Sequence, residues 1–381
     1  MGKRSVVVVG AGVFGAWSAL RLARDGWRVT MVDAYGPANG RGSSSDHSRV
    51  IRAGYGALDI YTRWATDALA DWQWLSKKAG ESLVVECGAL FLGGPGEAHL
   101  DDTARTLAAC GVTHERLTAA EVASRFPQIG VIGLGDALFE PRGGAIRARR
   151  AVAAAVAAAQ AYGAEYRQAR VAPPDEASTE PVVRLEGGPV LEADQYVFAC
   201  GPWLGRVLPS AVGDRIRPTR QEVLYFGVPA GDGRFAAERL PAWIDFAAGL
   251  YGVPDIDAHG FKVGLDQHGP PIDPDGDDRL VGADTLPRVR DFFARRFPAL
   301  MTAPLVDARV CQYENSATGD FLIDRHPAWA NVWVVGGGSG HGFKHAPSVG
   351  RAVADLLGAR LEPDPRFSLA GAGTAAARAV Y

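Results

Sequence analysis

Three glycines and one aspartate near the start of the chain have the types and spacing of a dinucleotide-binding site. Gly10, Gly12 and Gly15 follow the apolar run from Val6 to Val9, and Asp33 ends the next apolar run. A first glycine permits a tight turn, a second lets the backbone approach a pyrophosphate, and a third allows close packing of helix on sheet. A carboxylate at Asp33 suits ribose hydroxyls and would repel a 2′-phosphate. These residues predict an adenine dinucleotide without choosing between NAD and FAD.

One cysteine, Cys311, lies within the polar stretch DARVCQYENSATGDFLID. Such a cysteine is compatible with buried filler, half of a disulfide, a nucleophile, a metal ligand or an attachment point for a cofactor. The chain has 4 cysteines, with no C-x-x-C pair and no partner at metal-ligand spacing. We therefore expect neither a metal site nor a disulfide framework.

A second glycine-rich segment, NVWVVGGGSGHGF, precedes apolar residues at helical spacing, from Val349 to Leu357. One interpretation is a tight turn from strand to helix. The other is a helix N-terminus directed at a polar, electron-accepting ring, because the positive end of the helix dipole would stabilise the charge of a reduced flavin.

These groups need particular elements to position them. The segment from Val6 to Asp33 has the pattern of a strand, a glycine turn, an amphipathic helix and a second strand. The later runs QYVF and VWVV are continuously apolar, as expected of parallel strands that are buried on both faces. The sequence thus predicts a βαβ unit that continues into a parallel sheet.

The composition limits the class of protein and of partner. With 381 residues, 47% apolar and 22% charged, the chain is expected to form a globular protein of two domains. Its net charge of −3 gives no general attraction to nucleic acid or anionic lipid, so we expect a small-molecule partner. No apolar run is long enough for a membrane helix and no signal peptide is recognisable, which predicts a cytoplasmic protein.

Five segments together resemble the monomeric sarcosine oxidase branch of the FAD-dependent amine oxidoreductases, in the D-amino-acid-oxidase-like superfamily. They are GAGVFG with VDA, SSSDHSRVIRAGYG, YGVPDIDAHGFKVG, RVCQYENSATGDFLID and GGGSGHGFKHAPSVG. The resemblance covers almost the whole chain and implies an α/β plus α+β fold and a monomer. It implies a discontinuous Rossmann-like FAD-binding domain (residues 1–80, 146–215 and 306–381) and a sheet-rich substrate domain (residues 81–145 and 216–305).

The resemblance also implies how the cofactor is held. The cysteine that matches Cys311 bonds through sulfur to the methyl carbon on the benzenoid ring of FAD; the alternative is a non-covalent flavin beside a packed thiol. A polar loop around Cys311 would support the thiolate that attachment needs. The implied cofactor-binding residues are Gly10, Gly12, Gly15, Asp33, Ser43, Ser44, Arg49, Val171, Cys311, Gly340 and Lys344.

For the substrate, Arg52 and Lys344 match the pair that holds a carboxylate, and Tyr251 and Tyr313 match residues of the same cavity. A guanidinium fork and an ammonium group can clamp one carboxylate. The alternatives are a solvated or phosphate-facing Arg52 and an exposed Lys344 at a helix start. Lys262 matches the lysine that promotes reaction with oxygen; its alternative is a solvated lysine at a strand edge.

Two positions depart from the sarcosine oxidases, because Ser45 and Asp266 stand where those enzymes carry histidines. Asp266 would disfavour a second substrate carboxylate but could hold a ring N–H or a protonated imine; alternatively it pairs with a nearby cation. The expected function is oxidation of a small secondary or cyclic amino (imino) acid by FAD, which then reacts with O2 to give H2O2.

Several other functions remain open from the sequence. They are a sarcosine or N-methyl amino acid oxidase, a flavin dehydrogenase that uses another acceptor, and a nucleotide-binding subunit without catalysis. An NAD dehydrogenase would leave Cys311 and the second glycine cluster unexplained.

Overall fold

A computed structural model describes residues 3–371 of the chain. Its helices are α1 Val13–Arg24, α2 Asp59–Ala79, α3 Ala98–Ala109, α4 Ala119–Arg125, α5 Ala148–Ala161, α6 Leu204–Val207, α7 Thr285–Arg296 and α8 Ala346–Leu357. Its strands are β1 Ser5–Val9, β2 Arg28–Asp33, β3 Ser48–Ile51, β4 Val84–Val85, β5 Ala89–Leu92, β6 Glu115–Thr118, β7 Asp136–Glu140, β8 Gly144–Arg147, β9 Glu165–Gln168, β10 Gln195–Phe198, β11 Arg217–Phe226, β12 Ala242–Asp245, β13 Leu250–Val253, β14 Phe261–Leu265, β15 Leu305–Asn315, β16 Leu322–Arg325 and β17 Val332–Gly336.

The first sheet contains the predicted βαβ unit. Its order is β16-β17-β10-β1-β2-β9, and every neighbouring pair is parallel except β16 with β17. All residues of β1 are buried, as the continuous valine run predicted. The predicted helix after the second glycine cluster is α8, whose buried apolar face includes Val349 and Val353. The Rossmann-like part of the predicted fold class is confirmed.

The second sheet has eight strands in the order β15-β11-β14-β13-β12-β5-β7-β6. Its pairs are antiparallel apart from β12 with β5. One face carries Trp243 and Phe261, which lie in an aromatic core with Phe292 and Phe293 of α7. The opposite face is therefore the one that is available to a functional site.

Strand β15 belongs to this second sheet, although all of its residues after Leu305 fall within the segment 306–381 that was predicted for the FAD-binding domain. It pairs with β11 from Arg217 with Asn315 to Phe226 with Leu305. The ladder with β11 supplies hydrogen-bond partners along one side of this eleven-residue strand. The division into domains stays a prediction, and residues 372–381 lie outside the described part of the chain.

A third, small sheet of order β3-β8-β4 connects these layers. Strand β3 carries Arg49 and ends directly before Arg52. Within residues 3–371 no helix combines the length and apolarity needed to cross a membrane. In the same residues no three His, Cys, Asp or Glu side chains are grouped as metal ligands would be.

Candidate active site

A cavity lies at the carboxyl ends of β1 and β2, where a dinucleotide binds in this type of sheet. The glycine turn lines it together with Asp33, Ser43, Ser44 and Val171. Gly10 has φ of 106°, and a Cβ atom there would lie 2.3 Å from the carbonyl oxygen of Ala199. A Cβ atom on Gly15 would lie 1.9 Å from the carbonyl oxygen of Gly10. The turn therefore forms only with glycine at both positions.

Polar contacts fix the backbone around this cavity. Asp33 accepts hydrogen bonds from the backbone N–H groups of Ala11 and Tyr35, each at 2.8 Å. Ser44 accepts from the N–H of Val13 at 2.9 Å, in the first turn of α1. Each carboxylate oxygen can accept more than one hydrogen bond, so these contacts are compatible with ribose hydroxyls.

A second cavity adjoins the first, and Ser43, Ser44 and Val13 line both. The second glycine cluster forms one wall of it. Gly340 has φ of 81°, and a Cβ atom there would lie 2.5 Å from the ring of Tyr313. The buried Oε1 atom of Gln312, which also lines this cavity, has no hydrogen-bond partner among residues 3–371. A buried polar atom of this kind is suited to a polar ring in the cavity, as a flavin would provide.

A third cavity contains the predicted substrate residues. Its walls include Arg52, Tyr251, Asp266, Tyr313 and Lys344. The residues Arg49, Tyr313, Gly340 and Phe343 line both this cavity and the second one. The three cavities thus form a series in which each shares walls with the next.

Sheet geometry explains why residues that are distant in sequence meet here. Cys311 and Tyr313 are two apart on β15 and so point to one face of the eight-stranded sheet. Residues that pair across strands also share a face. Tyr225 of β11 pairs with Lys262 of β14, and Lys262 pairs with Val253, two residues after Tyr251. Along β11, β13 and β14, the alternation of apolar and functional side chains therefore directs one set to the aromatic core and the other to the site.

Cys311 is buried within a strand, so the expectation of a polar loop around it was wrong. It packs with Val223 and Tyr225 of β11. Polar residues occupy both faces of β15, which is why the segment resembled a loop. Burial raises the pKa of the Cys311 thiol, and Asp46 adds to this effect, whereas the positive charge of Arg49 opposes it.

Lys262 is also buried, at 1% exposure, which excludes the alternative of a solvated lysine. Its Nζ atom donates to Oδ2 of Asp46 at 2.7 Å and to the carbonyl oxygen of Ser48 at 2.6 Å. Asp46 also accepts from Arg49 at 2.9 Å and from the hydroxyl of Tyr225. Burial opposes ionisation of Asp46, but the charges of Lys262 and Arg49 outweigh it and lower its pKa. Burial lowers the pKa of Lys262, and Asp46 opposes that change.

Arg52 and Lys344 are 7% and 5% exposed, so neither of the solvated alternatives holds. The Lys344 Nζ atom donates to the hydroxyl of Tyr55 at 2.6 Å and to the carbonyl oxygen of His341 at 2.9 Å. The guanidinium of Arg52 lies over the ring of Tyr55, 4.4 Å from its centroid. Tyr55 therefore connects the two cations.

The two departures from the sarcosine oxidases have different positions. Asp266 lines the third cavity, and together with Ile244 it also lines a wider neighbouring cavity that includes His99 and Phe246. Ser45 is buried and its backbone N–H donates to Gly42. It is not part of the walls of the cavities described here.

Sequence reasoning missed Asp46, Tyr55 and Glu140, which contact the predicted site residues or the backbone next to them. Asp46 has φ of 96°, an uncommon backbone conformation for a residue other than glycine. The stretch SSSDHSRVIRAGYG contains both Asp46 and Tyr55, but their roles depend on strands that lie far away in sequence. Only the register of the eight-stranded sheet brings those strands into contact with this segment.

The fold and the three cavities are typical of a class of protein: a dinucleotide-binding protein in which a face of the second sheet lies against the cavities beside the nucleotide site. A model of the DAO family, described as FAD dependent oxidoreductase, matches residues 5–356. The chain belongs to this family and is an FAD-dependent oxidoreductase acting on CH–NH groups.

Named relatives agree with this assignment. Monomeric sarcosine oxidase from Streptomyces avermitilis is 30% identical over 367 residues, with 92% of each chain covered. N-methyl-L-tryptophan oxidase from Salmonella arizonae is 29% identical over 386 residues, covering 96% of this chain and 97% of that protein. The structure of L-proline dehydrogenase from P. horikoshii has a TM-score of 0.84 at 22% identity, covering 96% of this chain and 97% of that one. This last comparison shows a shared fold.

Proposed function

We propose that the protein is an FAD-dependent oxidase of a small secondary or cyclic amino (imino) acid, with O2 as electron acceptor and H2O2 as product. The observation that carries the proposal is the third cavity, which is lined by the buried cations Arg52 and Lys344 and shares other wall residues with the second cavity, the proposed site of the flavin ring (the ring cavity). The similar enzymes named for sarcosine and N-methyl-L-tryptophan support a substrate with a substituted amine. Monomeric relatives support a monomer, and a cytoplasmic location is part of the proposal.

The glycine turns, Ser43, Ser44, Arg49 and Gln312 would hold FAD, which when bound supplies the acceptor for hydride and the donor of electrons to oxygen. Arg52 and Lys344 would hold the substrate carboxylate in the cavity beside it. A guanidinium has five N–H donors, so the contact of Arg52 with Gly54 is compatible with a two-pronged contact to a carboxylate. The two cations would thereby orient the substrate's C–H bond toward the ring cavity.

No side chain of the cavity is required as a general base if the amine binds in its neutral form. Burial, together with Tyr313, raises the pKa of Tyr251 well above its ordinary value. Tyr251 is therefore a neutral hydroxyl at physiological pH and can donate a hydrogen bond to the substrate. This favours a role in orientation and exclusion of water over a role in proton removal.

Cys311 would form the covalent bond to the cofactor. Its position two residues before Tyr313 on one face of β15 supports this proposal, since Tyr313 lines the ring cavity. Burial raises the pKa of the Cys311 thiol, so the thiolate that attachment requires would depend on the opposing positive charges of Arg49 and Lys262. Lys262 would hold a positive charge close to the site of oxygen reduction.

The proposal is tested by adding purified holoenzyme to a panel of amino and imino acids and measuring H2O2 release. We expect peroxide in stoichiometric amount with the oxidised substrate, and higher kcat/KM for acids than for the matching neutral amines. Turnover with an artificial acceptor but without peroxide would overturn the choice of O2.

One observation favours a second candidate, a dehydrogenase with another electron acceptor. The charge of Lys262 is compensated by Asp46 at 2.7 Å, which weakens the field that Lys262 exerts on oxygen. Arg49 remains as a second cation beside the same carboxylate. The ratio of oxygen-dependent to dye-dependent turnover distinguishes the two candidates.

A further inference from the structure

Glu140, the last residue of β7, is a buried carboxylate at 3% exposure. It pairs with Ala89 of β5, two residues before Phe91, which pairs with Ile244 of β12. These pairings place Glu140 on the same face of the eight-stranded sheet as Ile244, which lines the substrate cavity. A charged group in this position requires specific partners, because an uncompensated buried charge is strongly unfavourable.

The partners of Glu140 are two consecutive backbone amides. Its Oε2 atom accepts from the N–H of Ala53 at 2.8 Å, and its Oε1 atom accepts from the N–H of Gly54 at 2.6 Å. Space for this contact is tight, since a Cβ atom on Gly54 would lie 2.9 Å from Oε1 of Glu140. The carboxylate thus fixes the backbone that directly follows Arg52.

That short backbone segment also orders both cations of the cavity. Arg52 donates through Nη1 to the carbonyl oxygen of Gly54. The next residue, Tyr55, lies against the guanidinium of Arg52 and accepts a hydrogen bond from Lys344 at 2.6 Å. A displacement at residues 53 and 54 would therefore move the contacts of Arg52 and Lys344 together.

We propose that Glu140 is a positioning residue for binding of a substrate carboxylate: it fixes residues 53 and 54 and thereby the directions of Arg52 and Lys344. The inference rests on the proposed function, in which these two cations hold the carboxylate. The inference adds Glu140 of β7, which is distant in sequence from both cations. In the proposed arrangement Glu140 touches neither substrate nor cofactor.

The ionised form of Glu140 is the one that this geometry needs. Burial raises the pKa of Glu140, whereas the amides of Ala53 and Gly54 and the charge of Arg52 oppose that effect. With both oxygens accepting from N–H groups, a glutamine in its place would set an NH2 group against one of these donors. Glu140→Gln should therefore displace the segment although the side chain keeps its size.

The chain offers a matched control in Glu176. Its two carboxylate oxygens also accept from consecutive backbone amides, those of Ser210 at 2.6 Å and Ala211 at 2.9 Å. Its side chain is 5% exposed and its third partner is His326. Glu176→Gln removes the same kind of contact without touching the segment after Arg52.

The experiment measures binding of tetrahydro-2-furoate, a cyclic carboxylate without an oxidisable C–N bond, to each holoenzyme through the visible absorption of FAD. We expect Glu140→Gln to raise Kd at least ten-fold and Glu176→Gln to change it less than two-fold, at similar FAD content. Turnover of a neutral cyclic amine should fall much less than turnover of the matching acid in Glu140→Gln. If Glu140→Gln is not recovered folded, Glu140→Asp serves, with an expected rise in Kd of three-fold or more.

The outcomes separate this inference from the proposed function. If Arg52→Gln weakens carboxylate binding while the Glu140 variants bind like the wild type, the positioning role is overturned. The binding of the carboxylate by Arg52 and Lys344 (the clamp) would then stand. If Arg52→Gln affects acids and neutral amines equally, the clamp itself is wrong and the role of Glu140 falls with it. Equal losses in the Glu140 and Glu176 variants would show a general effect on stability and would also overturn the inference.

Discussion

Replacing Asp46 by asparagine tests whether the charge of Lys262 depends on its buried partner. Asparagine tolerates the positive φ of 96° at this position better than most residues and keeps an acceptor oxygen. The substitution therefore removes the charge while changing the shape little. Lys262 would then lie beside Arg49 without a nearby anion, and its protonated form would lose its main stabilisation.

The expected magnitude follows from the distance between the two groups. At 2.7 Å and an effective dielectric constant of about 20, the attraction between Lys262 and Asp46 is about 6 kcal/mol. The amide oxygen of the variant returns part of this attraction, so the net loss for the protonated lysine is smaller. The ammonium form is complete below its pKa and is lost as pH rises through it. Because Asp46 opposes the lowering of the Lys262 pKa, we expect that pKa to fall further in the variant and the positive charge to be lost at lower pH than in the wild type.

The assay is stopped-flow reaction of anaerobically reduced holoenzyme with O2 from pH 5.5 to 9. If Lys262 promotes oxygen reduction, Asp46→Asn should react nearly as the wild type at the acid end and slow toward the rate of Lys262→Met as pH rises. Anaerobic reduction by substrate should change much less in both variants. In the double variant, Asp46→Asn should add little to Lys262→Met, because the charge is already absent.

Asp245→Asn is the control for loss of a buried carboxylate, since Asp245 pairs with Arg296 at 2.9 Å on a different part of the sheet. Its oxygen reaction should keep the pH profile of the wild type. A profile for Asp46→Asn that coincides with the wild type across the whole range would refute the proposed dependence. The dependence would also be refuted if Asp46→Asn slowed the oxygen reaction by the same factor in the wild type and in Lys262→Met.

Three further predictions concern attachment, the carboxylate and the amine. Acid-denatured wild-type protein should keep its yellow colour in the pellet and Cys311→Ser should release it; complete release from the wild type would contradict covalent attachment. Arg52→Gln or Lys344→Met should lower kcat/KM for an amino acid on the order of 10- to 100-fold, and much less for an amine without a carboxylate, because hydrogen bonds to charged groups are lost. Cyclic imino acids such as proline or pipecolate should have higher kcat/KM than sarcosine, and Asp266→Asn should lower their turnover at least ten-fold. Sarcosine as the preferred substrate would contradict the role given to Asp266.

The nucleotide end of the fold could be predicted from local sequence. The valine run, the glycine turn and Asp33 are contiguous, and each has one physical reason for its residue type. Strand β1, helix α1 and strand β2 were therefore found where the pattern indicated them. Helix α8 followed in the same way from glycine spacing and a periodic apolar face.

The existence of the second sheet was predicted only through the resemblance, and its strand order and pairing could not be predicted at all. Neighbouring strands such as β14 and β11 are separated by long stretches of chain, and pairing at that distance leaves no local signal. For the same reason Cys311 looked like a loop residue. Asp46 and Glu140 escaped notice because a supporting carboxylate differs from a solvated one only by what packs against it.

The position of Cys311 on β15 means that the proposed thioether would connect two different sheets. The dinucleotide cavity is formed by the ends of β1 and β2, whereas Cys311 belongs to an edge strand of the other sheet. A cofactor bonded to the sulfur of Cys311 would link the two sheets covalently, although different segments of the chain form them. Neither sheet could then unfold independently of the other. We expect such a molecule to melt in one transition, and the unattached Cys311→Ser form to show the two layers loosening at different temperatures.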